Sequence, residues 1–135
     1  MQAMADALLA QLAQRNLSAR LGQTLRTFAQ QNQLYAQGRT APGSIVTNAR
    51  GGDSLHNYGL AFDILMFAPG GSYIGNGSDP AYATAGQLGQ GIGLEWGGGW
   101  SSPYDPSHFQ NTDGLTLDQV CANYNAGRDV LCHGH

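Results

Sequence analysis

Apolar residues recur at helical spacing near the start of the chain. Within residues 3–14, four of them fall on one side of a helix: Met4, Leu8, Leu9 and Leu12. Side chains three and four positions apart lie on the same face of an α-helix, so this segment predicts an amphipathic helix. The pattern breaks at Asn16, where the helix is expected to end.

A capping box predicts a second helix over residues 28–37. Thr27 precedes the segment and Gln30 follows three positions later, so each side chain can bond to the other's backbone N–H. Gly38 stands where a glycine commonly ends a helix.

Two later helices are predicted in the same way. Asp79-Pro80 supplies a cap and a first turn for a short helix. Thr116 and Gln119 repeat the capping-box spacing near the end of the chain, and Gly127 marks the end of that last helix.

Strand-like segments lie between the helices. The candidates are residues 45–47, 60–67, 92–96 and 107–110. Residues 60–67 are apolar nearly throughout, which predicts a strand buried on both faces, and residues 68–77 have the composition of a loop. Helices at both ends around short strands predict an α+β fold. We expect one domain over residues 1–135, with a short antiparallel sheet flanked by helices.

Composition narrows the range of functions. Charged residues make up 11% of the chain, against roughly 25% in an average protein. The formal charge of −3 provides no basic surface, so no nucleic-acid partner is expected. No segment approaches the roughly 20 apolar residues that span a bilayer, so no membrane insertion is expected. The first residues lack the cationic and apolar regions of a secretory signal, which leaves the export route open.

Asp63 is the residue that the apolar pattern explains least, because it interrupts residues 60–67. An aspartate is almost never fully buried unless it is paired or bound to a metal. Two histidines, His56 and His108, also stand in unusual surroundings. Two imidazoles and one carboxylate would form a three-ligand zinc site whose fourth position is open to water, as in catalytic zinc sites.

Chain geometry permits this convergence. His56 and Asp63 are too far apart along an extended chain to share an ion, since seven residues span roughly 23 Å. A bend at Tyr58-Gly59 would bring the histidine back toward the strand. His133 and His135 are most simply explained as a tail.

A hydrolytic zinc site also needs a base that takes a proton from water and returns it to the leaving amine. Asp105 stands three residues before His108, so it can face the water while the histidine holds the metal. Glu95, the only glutamate in the chain, is the competing candidate. Asp105 is preferred because it is tied locally to a ligand.

Three segments resemble the M15 family of zinc peptidases, which contains D-alanyl-D-alanine carboxypeptidases and L-alanyl-D-glutamate endopeptidases that cut peptidoglycan stems. Residues 54–63, SLHNYGLAFD, fit that family's pattern SxHxxGxAxD. Residues 105–109, DPSHF, resemble its second motif, an acidic residue three positions before the last metal ligand. Residues 25–40 are similar to an upstream segment whose arginine binds substrate. The three parts follow the family's order within residues 24–110.

The resemblance implies roles for individual residues. One Zn²⁺ would be held by three of them: His56, Asp63 and His108. Asp105 would be the general base and acid. Arg26 would bind substrate and polarise the scissile carbonyl or its oxyanion, and Ser54 would support the substrate site near the first ligand.

Residues 46–63 and 95–100 look closest to the endopeptidase branch, which includes many phage endolysins. The resemblance therefore implies a monomeric L-alanyl-D-glutamate endopeptidase that acts on the peptidoglycan stem peptide in the cell wall or periplasm. Two departures stand out. Pro106 lies one position earlier than the proline that relatives place directly before the last histidine, and Gly99 replaces a frequent acid.

Three alternatives stay open. The chain could be a D-alanyl-D-alanine carboxypeptidase, or a wall-binding module with an idle zinc site. It could also be a structural zinc domain whose fourth ligand is a tail histidine or one of two cysteines, Cys121 and Cys132. The two cysteines are equally compatible with a disulfide and with two buried thiols.

Several other residues have both a functional and a plain structural interpretation. Four aromatic residues could line a groove for the stem peptide or fill the core: Tyr58, Trp96, Trp100 and Tyr104. Glycines 97–99 most simply make a turn. Arg50 could meet substrate carboxylates, although structural pairing is the default for it and for Arg39.

Overall fold

A computed structural model of the chain describes residues 1–100 and 104–133. Within that part there are four α-helices: α1 (Gln2–Gln14), α2 (Phe28–Ala36), α3 (Pro80–Ile92) and α4 (Leu117–Asn125). Short 3-10 helices cover Leu55–Tyr58 and Gly97–Gly99. The helices at both ends and both capping boxes, at Thr27 and at Thr116, are as predicted.

The same part of the chain contains one antiparallel sheet of five strands. These are β1 (Ser18–Leu21), β2 (Ala61–Phe67), β3 (Tyr73–Ile74), β4 (Glu95–Trp96) and β5 (His108–Gln110). The strand order is β1-β2-β5-β4, and β3 pairs with the far end of β2. The α+β prediction, with a short antiparallel sheet flanked by helices, is confirmed.

The chain divides into two compact units. The first consists of Met1–Thr24 and Ala61–Asn111 and contains the sheet, α1 and α3. Its core joins residues of α1, α3, β2 and β5, among them Leu8, Ala85, Ile64 and Phe109. Phe62 and Phe109 stack in this core with ring centroids 5.5 Å apart.

The second unit consists of Leu25–Leu60 and the chain from Thr112 onward, and it contains α2 and α4. A smaller apolar cluster of Leu60, Leu115 and Val120 forms its core, with partly buried neighbours that include Leu55. Buried amides supplement this core. Gln31 is fully buried, and its Nε2 donates to the carbonyl oxygen of Ala49 at 2.8 Å.

The prediction that β2 is buried on both faces was wrong. Its side chains alternate: Phe62, Ile64 and Met66 are fully buried in the core, whereas Asp63 and Leu65 on the opposite face are only half-buried. Only one face of the sheet packs against α1 and α3. The apolar residues on the other face hid this alternation in the sequence.

Three other segment predictions need correction. Residues 45–47 form no strand, because Ile45 and Val46 are exposed and pair with no neighbouring strand. The predicted loop 68–77 contains β3, and β1 was not predicted, because four residues of mixed character carry no clear period.

Helix α3 is longer than expected and takes in Ile92, which the sequence had assigned to a strand. The glycines that weakened the helical pattern have a packing role. A Cβ on Gly86 would collide with the Trp96 indole, and a Cβ on Gly89 would lie 2.5 Å from the Phe109 ring. The helix can therefore approach β4 and β5 closely only because these positions lack side chains.

Candidate active site

The register of β2, β5 and β4 places four polar side chains on one face of the sheet. Asp63 lies opposite His108 across β2 and β5. Glu95 lies opposite Gln110 across β4 and β5. His108 and Gln110 are two positions apart on one strand and share a face, while Phe109 between them points into the core. The four polar side chains therefore lie on the face of the sheet that points away from the core.

His108 is surrounded by acceptors. Its Nδ1 lies 3.3 Å from Oδ1 of Asp63 and 4.0 Å from Oδ2 of Asp105. Its Nε2 lies 2.8 Å from Oε1 of Gln110. Burial by itself lowers the pKa of His108, but the hydrogen bonds to Asp63 and Gln110 and the charges of both aspartates outweigh it, so the pKa is raised. The surroundings therefore favour the protonated form of the His108 ring.

Asp105 belongs to a loop that is held by the chain around β4. Its backbone N–H donates to the carbonyl oxygen of Gly97 at 3.0 Å, and its own carbonyl accepts from the His108 N–H at 3.1 Å. The Trp96 indole N–H donates to the carbonyl oxygen of Pro106 at 2.7 Å. The early proline is therefore accommodated, and the Asp105 carboxylate still faces Nδ1 of His108.

Trp96 holds this loop from a tightly fitted position. A Cβ on Gly86 or on Gly98 would collide with the indole. Glycines 97–99 form a 3-10 turn, as the plain structural interpretation predicted. Trp96 is partly buried and packs against the core, as the plain structural interpretation predicted. Trp100 lies beside the site instead, with its ring centroid 5.3 Å from that of His108.

His56 stands in the 3-10 helix Leu55–Tyr58 and is buried. Ser54 caps this helix, and its Oγ accepts a hydrogen bond from the His56 N–H at 3.3 Å. Gly59 follows in the left-handed conformation, with φ of 71°, and turns the chain into β2. The predicted bend at Tyr58-Gly59 is confirmed.

Arg26 is fixed next to His56 through the backbone. Its N–H donates to the carbonyl oxygen of His56 at 2.9 Å, and Asn57 Nδ2 donates to the Arg26 carbonyl at the same distance. Its Nη1 donates to Oε1 of the buried Gln31 at 2.6 Å. Its Nε is buried and has no hydrogen-bond partner among the described residues. One side of the guanidinium is thus held by the fold.

His56, Asp63 and His108 form a group that can hold one metal ion. Each offers one ligand atom, and these atoms all lie within 4.8 Å of one another. Imidazole nitrogens and a carboxylate oxygen are ligands that zinc prefers. The group includes no cysteine. Cys121 and Cys132 form no disulfide, and Cys121 Sγ lies 3.2 Å from the Tyr58 hydroxyl. This arrangement counts against a structural site closed by a cysteine.

The remaining candidates have mostly structural partners. Tyr58 donates to the carbonyl oxygen of Gly52 at 2.6 Å, and burial together with Cys121 raises its pKa. Arg39 and Arg50 both lie over the Tyr35 ring, at 3.9 and 4.9 Å from its centroid, as structural pairing predicted. His133 pairs with Asp113 at 3.0 Å, and His135 lies outside the described residues.

An open cavity of about 310 Å³ borders the Asp105 loop. Tyr73, Tyr82 and Tyr104 line it together with Pro106 and Ser107, and no charged side chain is among its lining residues. Ser107 Oγ also donates to Oδ1 of Asp105 at 3.4 Å. Tyr104 is 51% exposed, so the prediction of a groove aromatic suits Tyr104 better than Trp96.

Two imidazoles and a carboxylate, with a second carboxylate beside one of the imidazoles, fit the site of a metal-dependent hydrolase. The chain belongs to the M15 family of peptidases, whose members are zinc-dependent. Two family models, both described as D-alanyl-D-alanine carboxypeptidase, match residues 47–111 and 1–75. The chain is 39% identical over 113 residues to the peptidoglycan L-alanyl-D-glutamate endopeptidase CwlK of Bacillus subtilis strain 168, covering 78% of this chain and 68% of that protein.

Solved structures share the fold. The L-Ala D-Glu endopeptidase ChiX of Serratia marcescens matches with a TM-score of 0.57 and 21% identity, over 87% of this chain and 81% of that one. A mutant of the vancomycin-resistance D,D-pentapeptidase VanY in complex with Zn(II) matches with a TM-score of 0.60 and 14% identity, over 96% of this chain and 78% of that one. At these identities the likeness shows a common fold.

No helix in the described part of the chain is long and apolar enough to cross a membrane.

Proposed function

We propose that this protein is a zinc-dependent endopeptidase that hydrolyses the L-alanyl-D-glutamate bond of peptidoglycan stem peptides. The observation that carries the proposal is the group of His56, Asp63 and His108, found in a chain that is 39% identical to an endopeptidase of that specificity. The backbone positions of the three side chains are set independently by a capped 3-10 helix and by two paired strands.

We propose His56, Asp63 and His108 as the ligands of one Zn²⁺. When bound, zinc supplies a Lewis acid that polarises the scissile carbonyl and makes water a better nucleophile at neutral pH. The protein residues hold the imidazoles in place. The Ser54 cap fixes the backbone of His56, and the pairing of β2 with β5 fixes Asp63 opposite His108.

Asp105 is the proposed general base and acid. Its carboxylate lies on the same side of His108 as Asp63, and it is 42% exposed, so that water and substrate can reach it. It takes a proton from the attacking water and returns it to the nitrogen of the departing D-glutamate. The hydrogen bond from Ser107 and the anchored backbone hold the carboxylate for both transfers.

Arg26 is the proposed electrostatic partner of the substrate. A guanidinium that is held beside a proposed metal ligand, His56, can bind the carbonyl oxygen as negative charge develops on it. Gln31 orients the guanidinium from the other side. Ser54 contributes to the substrate site through its position in the cap next to His56.

The proposed partner is the peptidoglycan stem peptide, which the cavity beside Asp105 would accommodate along its uncharged tyrosine-lined wall. We propose action as a monomer in the cell wall or periplasm, with no nucleic-acid or membrane-inserted partner. The formal charge of −3 supports this view, because it provides no field that would attract a polyanion.

A second candidate is D-alanyl-D-alanine carboxypeptidase activity, because both matching family models carry that description. The two activities release different products from the same stem. Endopeptidase cleavage creates a new amino terminus at D-glutamate, whereas carboxypeptidase cleavage releases free D-alanine.

Mass spectrometry of digested peptidoglycan tests the proposal. New amino termini at D-glutamate that need zinc and disappear in Asp105→Asn establish the endopeptidase. Asp118→Asn, which changes an exposed acid in the first turn of α4, is the matched control and should keep full activity. Free D-alanine as the only product would transfer the assignment to a carboxypeptidase. Binding of wall and zinc without cleavage would favour an idle wall-binding module.

A further inference from the structure

Gln110 connects His108 to Glu95. Its Oε1 lies 2.8 Å from His108 Nε2, and its Nε2 donates to Oε2 of Glu95 at 2.7 Å. The sheet places these groups in line, because Glu95 and Gln110 are directly opposite each other and His108 follows on the same face of β5. Neither Glu95 nor Gln110 has a role in the proposed hydrolysis.

The chemistry of the three groups fixes the direction of both hydrogen bonds. A carboxylate only accepts, so the NH₂ of the Gln110 amide must face Glu95. The amide oxygen must then face His108, and it too only accepts. His108 Nε2 must therefore carry a proton. In a neutral imidazole the other nitrogen, Nδ1, is then left with its lone pair.

The lone pair at Nδ1 points toward carboxylates. Nδ1 lies 3.3 Å from Asp63 Oδ1 and 4.0 Å from Asp105 Oδ2, so three acceptors face one another. A positive group satisfies this arrangement, either a second proton on Nδ1 or a metal ion. A divalent metal satisfies it directly, because both the imidazole and the carboxylate of Asp63 can donate a lone pair to it.

We propose that Glu95 and Gln110 are positioning residues that hold His108 in the tautomer with the proton on Nε2 and direct Nδ1 to the metal. The inference rests on the proposed metal site, but it does not depend on which peptide bond is cut. It also changes the place of Glu95. The sequence made Glu95 the competing candidate for the general base, but Glu95 acts on His108 through Gln110. Asp105 is the carboxylate near Nδ1 of His108, the nitrogen that is directed to the metal.

The orientation of the Gln110 amide depends on a group at position 95 that only accepts hydrogen bonds. Three variants test this dependence. Gln110→Met keeps the length of the side chain and removes both hydrogen bonds. Glu95→Gln keeps the shape but allows the pair of amides to turn over, so that Gln110 can offer NH₂ to His108. The exchange E95Q with Q110E reverses the middle bond, yet it still places an acceptor opposite Nε2.

Two readouts test the inference, both without substrate. Zinc affinity is measured by competition with a chelating dye, and long-range ¹H–¹⁵N spectra, recorded with and without zinc, identify the protonated nitrogen of His108. We expect Gln110→Met to lower zinc affinity about tenfold, which is the effect typical of lost outer-shell partners. Its spectra should show a mixture of tautomers. Glu95→Gln alone should show a smaller loss in the same direction.

Rescue is the decisive observation. The double exchange should restore the Nε2–H tautomer and bring zinc affinity back to within about threefold of the parent. A purely structural role of Glu95 and Gln110 predicts no such recovery. Unchanged affinity and tautomer in Gln110→Met, or failure of the exchange to recover either readout, would overturn the inference. If the parent protein binds zinc but does not cut peptidoglycan, the proposed function fails while this test still stands.

Discussion

The indole N–H of Trp96 donates to the carbonyl oxygen of Pro106 with 2.7 Å between the atoms. Pro106 directly follows the proposed base, Asp105, and Trp96 lies at the end of the strand that pairs with the His108 strand. The hydrogen bond therefore ties the base to the same piece of sheet as the proposed ligand. Loss of this donor should affect chemistry more than stability.

Trp96→Phe removes the donor and keeps most of the ring. We expect kcat to fall by roughly tenfold or more, because a small displacement of the base is enough to weaken proton transfer. The free energy of unfolding should fall by about 1 kcal/mol for the hydrogen bond, and further because the smaller ring leaves a cavity. Asp79→Ala is the matched control, since it removes the capping hydrogen bond that Asp79 accepts from the Ala81 N–H in the same unit. An equal loss of kcat in both variants would contradict the specific role.

The contact of α3 with Trp96 predicts opposite effects for two glycines of one helix. Gly86→Ala should lower the free energy of unfolding by about 1–3 kcal/mol, because its Cβ would collide with the indole. Gly91→Ala should raise it by about 0.5–1 kcal/mol, because a Cβ there meets open space and alanine favours the helix. Urea denaturation measures both. Equal effects would show that the close approach of α3 to β4 is not required.

Substitutions of Asp63 and of Asp105 should affect different quantities, the first zinc affinity and the second kcat. Asp63→Asn should lower zinc affinity strongly, because it replaces a proposed charged ligand with a neutral amide. Asp105→Asn should keep zinc affinity within a few-fold while kcat falls by roughly 10²–10⁴. Dye competition and hydrolysis of a defined muropeptide measure the two quantities. A severe loss of zinc in Asp105→Asn would instead make Asp105 a ligand.

Arg26→Lys should slow hydrolysis by roughly 10²-fold, comparable to the loss of one oxyanion donor. Lysine keeps the charge but has a single nitrogen, so it cannot bond to Gln31 and to the substrate through two separate nitrogens as arginine can. Arg20→Lys, on β1, is the control and should be neutral in the same kinetic assay. If Arg26→Lys raised only KM and left kcat intact, Arg26 would bind the ground state and the transition state equally.

Chelation should lower the melting temperature if zinc binds the folded protein. A ligand that binds only the folded state at 100 times its Kd adds about 2.7 kcal/mol of stability. Differential scanning calorimetry with and without chelator measures the change. His56→Ala should shrink the difference, whereas the parent melting curve should recover on return of zinc. A difference that persists in His56→Ala would place the stabilising metal elsewhere.

Features encoded in a few neighbouring residues could be predicted from the sequence. The capping boxes at Thr27 and Thr116 depend only on residues three positions apart, and both form as expected. Residues 54–63 could be interpreted for the same reason, because a candidate ligand, a turn and the start of a strand follow one another within a short segment. Asp63 stood out because its charge contradicts its apolar neighbours.

Features that depend on pairing could not be predicted. The strand predicted at residues 45–47 does not form, because a strand needs a neighbouring strand with which to hydrogen-bond. Glu95, Gln110 and His108 are brought together by register, and the sequence separates Glu95 from Gln110 by fifteen positions. Gly86 has a low helix propensity when it is considered alone. Its packing role follows from the contact with Trp96, which only the folded structure shows.

The alternation along β2 makes the strand intolerant of single-residue insertions and deletions. Phe62, Ile64 and Met66 point one way, and Asp63 points the other. Removing one residue from Ala61–Phe67 would turn every later side chain to the opposite face, so that core and ligand positions would exchange. An insertion or deletion in this strand would therefore disrupt the core and the proposed metal site together. Related sequences should differ here by substitutions only.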